Sequence, residues 1–176
     1  IRLAAQAGLV GGSIEDATGD KDRPLYGFDE AVERVAAAVE AARALPFKFT
    51  LTARCENFLR GNPNIEDTIA RLEAFERAGA DVLFAPALPD LATVRLVCSA
   101  LKKPVNFMVG MRGKSFAVAE LAAAGVRRVS LSTSLYRAAV TGLLAAGHEV
   151  SERGTFGYVE TLVSGGELGK YLRPPP

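Results

Sequence analysis

The hydrophobic pattern of the chain alternates between short apolar segments and longer amphipathic ones. The apolar segments have strand length and recur at 8–14, 47–52, 81–85, 104–109 and 127–132. The stretches between them are rich in Ala, Glu and Arg, have a helical period, and cover 28–44, 65–78, 90–101 and 115–124. Since parallel neighbouring strands need a crossover connection of about this length, the pattern predicts parallel βα units.

Start and stop signals bound several of these helices. Asp29 is a candidate cap for the first helix, and Asn64 precedes the second. Gly79 and Gly125 are placed to close their helices. The strands are nearly continuous apolar runs, which is typical of strands buried on both faces.

Two architectures share this alternation. An open doubly wound sheet, as in a flavodoxin-like module, would be complete with five strands, whereas a (β/α)8 barrel would need three more. The period alone does not separate them. In both, ligands bind at the carboxyl ends of the strands, so candidate site residues are sought there.

Composition narrows the classes of partner. The chain has 176 residues with 21 Lys and Arg against 20 Asp and Glu, so it offers no support for nucleic-acid or anionic-membrane binding. Its apolar runs are too short to span a bilayer. Cys55 and Cys98 form no CxxC pair, which favours reduced thiols and a cytoplasmic protein. Because a helical pattern is already under way at Ile1, we expect a fragment of a longer chain.

Two strand ends carry charged residues. Glu15 and Asp16 are adjacent carboxylates that suit Mg2+; alternatively, Asp16 starts a turn and Glu15 pairs with an arginine. Arg54 ends the second apolar strand, and alternation places Glu56 on the same side. A guanidinium there needs an anion, either a carboxylate or phosphonate ligand or one of these glutamates.

Other polar residues give weaker signals. Asn106 is a polar residue in an apolar strand and contacts either a ligand or other core groups. His148 is the single histidine, so a Ser/His/Asp triad is rejected. Cys55 should point away from Arg54, which disfavours a thiol nucleophile. The Gly-Lys-Ser of 113–115 lacks the glycine spacing of a Walker A loop.

Three motifs in order resemble the isocitrate lyase/phosphoenolpyruvate mutase superfamily. They read Ser-Ile-Glu-Asp at 13–16, Thr-Ala-Arg-Cys-Glu-Asn at 52–57 and Ala-Gly-Ala-Asp at 78–81. The resemblance implies a (β/α)8 TIM-type barrel of which about strands 4–8 are present. Residues 1–176 would form a single partial barrel domain, with 150–176 a C-terminal helical or tail segment.

The resemblance also implies residue roles. Glu15 matches the carboxylate that holds waters of Mg2+, and Arg54 the arginine that grips the substrate. Lys21 matches a lysine, and Asp22 an asparagine, on the gating loop. Because the Gly, Asp and Lys content of 16–27 offers little to bury, we expect it to be the most mobile internal segment. Arg23 replaces the lyases' proton-donating cysteine, and Pro86 replaces a glutamate or histidine, so an ordinary isocitrate or methylisocitrate lyase is not expected.

The resulting hypothesis is a Mg2+-dependent lyase or mutase that acts on a small 2-oxo acid or phosphonate through an enolate-like intermediate. Arg54 and Lys21 would be catalytic, and Arg54, Asn106 and Asp22 would bind substrate. The alternative is a non-catalytic or degenerate member that binds a 2-oxo acid. The family commonly forms homo-oligomers, so a tetramer or dimer is expected.

Overall fold

The computed structural model describes residues 1–172, and the tail at 173–176 lies outside the described residues. It divides into two compact units, Ile1–Ser132 and the residues from Thr133 onward. No helix within 1–172 is both long enough and apolar enough to cross a membrane.

The first unit is built on five parallel strands. They are β1 (Gly11–Glu15), β2 (Thr50–Arg54), β3 (Val82–Phe84), β4 (Val105–Met108) and β5 (Arg128–Ser130). Each strand pairs with the next in chain order. A doubly wound sheet would reverse its order at a switch point, so the order confirms the predicted barrel-type arrangement.

Helices connect the strands. They are α2 (Phe28–Arg43), α3 (Ile65–Arg77), α4 (Leu91–Ala100) and α5 (Val118–Ala123), with a 3-10 turn at Asn57–Leu59; a short helix, α1 (Arg2–Gln6), precedes β1. The predicted cap at Asn64 is confirmed, because its side chain accepts from the Asp67 N–H at 2.9 Å. The predicted cap at Asp29 is wrong: α2 begins after Gly27, and Asp29 lies inside its first turn, where a carboxylate favours the helix dipole.

The core lies between the sheet and these helices. Alternate strand residues such as Ala53, Leu83 and Phe107 are buried against helix residues such as Leu72 and Val97. The remaining strand residues line the opposite face, here called the concave face. This alternation places Arg54 on the concave face, away from the helices.

One close approach explains a predicted helix end. Gly125 follows α5 with φ +101°, and a Cβ there would lie 2.8 Å from the Cβ of Cys98. The backbone conformation and the contact with α4 therefore both require glycine. The predicted role of Gly79, which has φ +104° after α3, is confirmed in the same way.

The second unit contains α6 (Ser134–His148), a π-helical turn (Glu149–Arg153), a 3-10 turn (Gly157–Thr161) and α7 (Gly165–Tyr171). None of the described residues of α6 or α7 is buried. Large apolar side chains such as Leu143 and Leu144 are exposed on it.

Candidate active site at the carboxyl ends of the strands

The strand register lines up the residues that end β1 to β4. Glu15 pairs with Arg54, Arg54 with Phe84, and Phe84 with Asn106. Because side chains in paired register point to the same face, these four lie side by side on the concave face. This row is the candidate site, since ligands of parallel α/β folds bind at this end of the strands.

Arg54 is held by two carboxylates and an aromatic ring. Its Nε donates to Oε1 of Glu56 and lies 3.4 Å from Oε2 of Glu15, and its guanidinium carbon lies 5.1 Å from the centre of the Phe84 ring. Within residues 1–172 its two terminal nitrogens donate no hydrogen bond, and 23% of the side chain is exposed. The fork of donors therefore remains accessible from the concave face.

Glu56 anchors this arginine from below. Its side chain is 0% exposed, and its Oε2 lies 3.3 Å from Nε of Arg60 without accepting a hydrogen bond from any described residue. A buried carboxylate is tolerated when cations compensate it, and Glu56 has Arg54 on one side and Arg60 on the other. The predicted shared side of Arg54 and Glu56 is thus confirmed by their contact.

Asp16 belongs to a buried network beneath the site. Its Oδ1 accepts the Glu56 N–H at 2.7 Å, and its Oδ2 accepts from Nη1 of Arg71 at 3.2 Å. Arg71 also donates to the carbonyl of Tyr26 at 3.1 Å and to Asp67 at 2.9 Å. Burial raises the pKa of Asp16, while the Glu56 N–H and the Arg71 charge oppose that rise. Asp16 therefore fixes the backbone at Glu56.

Glu15 is the accessible carboxylate of the pair at the end of β1. Its side chain is 43% exposed, and its ion pair with Arg54 involves one oxygen, Oε2. The pairing of Glu15 with an arginine follows the alternative interpretation, whereas the carboxylate of Asp16 does not start a turn but accepts from Glu56 and Arg71, which are distant in sequence. Within residues 1–172 no group of three or more acidic, His or Cys side chains is placed to hold a metal ion.

The loop that follows β1 is closed at its base and exposed at its tip. Ala17 and Leu25 form an antiparallel bridge, and the Tyr26 N–H donates to the Asp16 carbonyl at 2.8 Å. Lys21 and Asp22 are exposed at the tip. Within the described residues, neither forms a hydrogen bond or ion pair with Glu15 or Arg54, so the structure does not bring them into the row.

Arg23 and Pro86 are the two residues that depart from the lyase pattern. Arg23 lies 3.7 Å from Glu30 in an exposed ion pair, and Pro86 is buried two residues after the end of β3. Neither supplies a group that could exchange a proton at neutral pH. The departures from the lyase pattern are therefore departures in chemistry as well as in sequence.

Asn106 has hydrogen-bond partners within the chain. Its Nδ2 donates to Oγ of Ser130 at 3.1 Å, and its Oδ1 accepts from Nη1 of Arg128 at 3.4 Å. It is also buried. These contacts are those of the core alternative, while its place in the row keeps it beside the site.

A wider concavity lies further from the carboxyl ends, on the same face. Its volume is about 510 Å3, and it is lined by residues including Ser13, Thr50, Thr52, Val82 and Arg128. This concavity is the competing location for a ligand on this unit.

Of the two candidate nucleophile systems, one faces the helix side of the sheet and the other belongs to the second unit. Cys55 is buried among core residues on the helix side, and burial raises the pKa of its thiol. His148 lies in the second unit, with Nδ1 2.8 Å from a carboxylate oxygen of Glu152. The placement of Cys55 agrees with the sequence-based expectation that it does not act as a nucleophile.

Sequence reasoning missed Arg71 and Arg60. Arg71 lies in α3, and a signal was available, since it shares the helical spacing of Leu72 and Phe75, which face the core. Arg60 lies four residues after Glu56 in a turn whose geometry the pattern does not specify. No sequence signal identified Arg60.

Comparison with known proteins supports one family. Residues 1–151 match the family described as phosphoenolpyruvate phosphomutase. An oxaloacetate decarboxylase from Paraburkholderia xenovorans (strain LB400) is 36% identical over 130 residues, 70% of this chain and 41% of the relative. A 2-methylisocitrate lyase from Escherichia coli (strain K12) is 29% identical over 146 residues, 78% of this chain and 48% of the relative.

A solved structure resembles nearly the whole chain. A protein described as a lyase/mutase from Burkholderia cenocepacia J2315 superposes with a TM-score of 0.94 at 52% identity, covering 99% of this chain and 63% of its own. The chain thus spans about half the length of the two curated relatives and under two thirds of that structure. The strand order, the row of Glu15 and Arg54, and the match over 1–151 lead to one conclusion: the chain belongs to the phosphoenolpyruvate phosphomutase family, within the isocitrate lyase/phosphoenolpyruvate mutase superfamily.

Proposed function

We propose that the protein carrying this chain is a Mg2+-dependent lyase or mutase that acts on a small 2-oxo acid. The observation that carries the proposal is the state of Arg54. Its Nε is fixed by Glu56 and Glu15, while its terminal nitrogens have no hydrogen-bond partner within residues 1–172. A preoriented fork at the carboxyl edge suits a planar carboxylate or a phosphonate, which can accept two parallel hydrogen bonds.

The donor set supports one edge of a magnesium site. Mg2+ prefers oxygen ligands, keeps several waters and needs only one or two carboxylates. Glu15 offers an accessible carboxylate, whereas both oxygens of Asp16 are already occupied by Glu56 and Arg71. Glu15 would therefore hold the ion or its waters, with further ligands from outside this set. When bound, the ion supplies positive charge that stabilises an enolate.

The chain's own residues perform the remaining tasks. Arg54 binds the carboxylate or phosphonate end of the substrate, and Glu56 and Asp16 fix its direction. Lys21 and Asp22 would reach the row when the loop 16–27 closes, exclude water and contact the substrate. Asn106 would border the site, with less effect than Arg54 because its amide is already paired.

The specific reaction best supported is decarboxylation of oxaloacetate. Cleavage of an isocitrate-type substrate requires a base for the hydroxyl proton and an acid for the departing enolate. The positions expected to serve that chemistry carry Arg23 and Pro86. Decarboxylation needs no such base, because loss of CO2 itself leaves the enolate, which then takes a proton. The oxaloacetate decarboxylase relative at 36% identity supports the same choice.

A second candidate is a member of the family that binds a 2-oxo acid without turning it over. The observation in its favour is the same exchange: Arg23 is in an ion pair with Glu30, and Pro86 is buried. Binding through Arg54 would persist in this case, while turnover would not.

A turnover assay separates these candidates. The protein is incubated with oxaloacetate or phosphonopyruvate, with Mg2+ or with EDTA, and pyruvate and inorganic phosphate are measured. We expect Mg2+-dependent pyruvate release from oxaloacetate that exceeds spontaneous decarboxylation in the same buffer. Binding without turnover would select the second candidate. If the protein shows neither binding nor turnover, the proposal is contradicted.

A further inference from the structure

A lysine in the loop after β4 is held at the same edge of the sheet. Nζ of Lys114 donates to the carbonyl of Ala87 at 3.2 Å, and its side chain is part-buried. The loop itself is closed, because Oγ of Ser115 accepts from the Gly110 N–H at 3.0 Å and donates to the Met111 carbonyl at 2.9 Å. The position of the ammonium group is thus set by an ordered turn.

The acceptor of this hydrogen bond has an unusual backbone. Ala87 is buried and has φ +66°, a left-handed conformation that a residue with a Cβ rarely adopts. Such strain persists only where the surroundings enforce it, and it is frequent at ligand sites. The carbonyl that holds Lys114 is therefore itself held in place.

The direction of Lys114 leads toward Arg54. Lys114 follows β4 in the chain, and its side chain reaches Ala87 in the loop after β3. Strand β3 lies between β4 and β2, the strand that carries Arg54. Ala87 is three residues beyond Phe84, whose ring faces the Arg54 guanidinium. Three residues span at most about 11 Å, so the carbonyl that holds the ammonium lies within a short chain length of the candidate site.

Lys114 also lacks a counter-ion. No carboxylate within residues 1–172 forms an ion pair with it, and its hydrogen bond to Ala87 uses one of three donors on a neutral acceptor. By contrast, Arg54 has two carboxylate partners. A part-buried ammonium with free donors at a ligand-binding edge attracts an anion.

We propose that Lys114 binds the second anionic group of a dianionic 2-oxo acid, while Arg54 binds the first. Lys114 would then select dianions, such as a dicarboxylate or a phosphonate-carboxylate, over monocarboxylates such as pyruvate. This inference rests on the proposed function and deepens it, because it assigns the charge class of the substrate to a residue outside the row.

The test compares Lys114→Met with a control, Lys103→Met. Lys103 is an exposed lysine two residues before the start of β4. We expect Lys114→Met to raise KM for oxaloacetate about tenfold or more, since a charge-assisted hydrogen bond is lost. The inhibition constant of pyruvate should stay within about twofold, since a monoanion does not need the second cation. Lys114→Arg should recover much of the loss, and Lys103→Met should match the wild type.

Calorimetric binding of oxaloacetate and pyruvate gives a readout independent of turnover. If wild-type protein binds oxaloacetate but Lys114→Met binds it equally well, or loses oxaloacetate and pyruvate to the same extent, the role of Lys114 is overturned while the proposed function stands. If wild-type protein binds neither acid in the presence of Mg2+, both the proposed function and this inference are overturned.

Discussion

At the residue scale, Arg54 combines an internal ion pair with an accessible fork. The two uses do not compete, because Glu56 and Glu15 approach Nε and the terminal nitrogens remain open within the described chain. Glu56 also pairs with Arg60, so Arg54 is not the single cation that compensates this buried carboxylate. Ligand binding by Arg54 can therefore be separated experimentally from its structural pairing.

Arg54→Lys keeps the positive charge but removes the planar fork. We expect kcat/KM for the 2-oxo acid substrate to fall tenfold or more, which is about 1.4 kcal/mol or above, with little change in the melting temperature. Steady-state kinetics and thermal unfolding measure the two effects. Arg60→Lys is the control, because it changes the other partner of Glu56. Equal kinetic effects from both variants would reduce Arg54 to a structural ion pair.

At the element scale, a buried network joins the base of the loop 16–27 to α3 and β2. Arg71 is the hub, with only 9% of its side chain exposed, and it contacts Asp16, Asp67 and the Tyr26 carbonyl. Through Asp16 the network sets the backbone of Glu56, and through Glu56 it sets Arg54. A helix residue outside the row thus orients the binding residue.

Arg71→Met should be strongly destabilising, because it leaves Asp16 buried without its cation. Breaking a buried pair by removing one partner costs about 3–5 kcal/mol of unfolding free energy. Arg77→Met on the same helix is the control, since Arg77 is 69% exposed and its loss should change stability by less than about 1 kcal/mol. Urea unfolding measures both, and an effect at Arg71 as small as that at Arg77 would show that the buried network does not stabilise the fold.

Asp81 joins α2 to the sheet at the amino ends of the strands. Asp81 accepts the Leu51 N–H at 2.8 Å and pairs with Arg43 at 2.8 Å. Burial by itself would raise the pKa of Asp81, but the Leu51 hydrogen bond and Arg43 together lower it below the ordinary value.

This lowered pKa predicts a pH dependence of stability. A carboxylate with a lowered folded-state pKa stabilises the fold above its unfolded value of about 3.9, and this contribution is lost as pH falls toward the folded value. The stability difference between wild type and Asp81→Asn should therefore shrink as the pH of urea unfolding falls from 6 to 3. Glu33→Gln, at an exposed position on α2, should show no such trend. A stability difference independent of pH would contradict a contribution from the ionised Asp81 carboxylate.

At the scale of the whole molecule, the hydrophobic period predicted the parallel βα units, and strand alternation predicted that Arg54 and Glu56 share a side, while leaving open whether a ligand or a glutamate pairs with Arg54. The boundaries shifted by a few residues; the first apolar segment began at Gly8, but β1 begins at Gly11 because pairing with Thr50 defines its start. The contacts of Arg71 and Lys114 could not be predicted, since they depend on which loops the fold brings together. The sequence offered Asp16 beside Glu15 as a carboxylate for Mg2+, because the pattern does not show that Asp16 is buried and paired with Glu56 and Arg71.

The exposed apolar side chains of residues 133–172 predict self-association. Leu143 and Leu144 are exposed on α6, and no described residue of that helix is buried. Exposed apolar patches commonly mark interaction sites. We expect light scattering after size exclusion to report a dimer or tetramer, with Leu143→Glu shifting it toward the monomer. A wild-type monomer at micromolar concentration would contradict this expectation.

A crystal structure with Mg2+ and pyruvate would show whether the row of Glu15 and Arg54 is the 2-oxo acid site. We expect the pyruvate carboxylate within hydrogen-bond distance of the terminal nitrogens of Arg54, with a cation or its waters beside Glu15. Pyruvate bound in the concavity lined by Ser13, Thr52 and Arg128, with Arg54 contacting only Glu15 and Glu56, would contradict it.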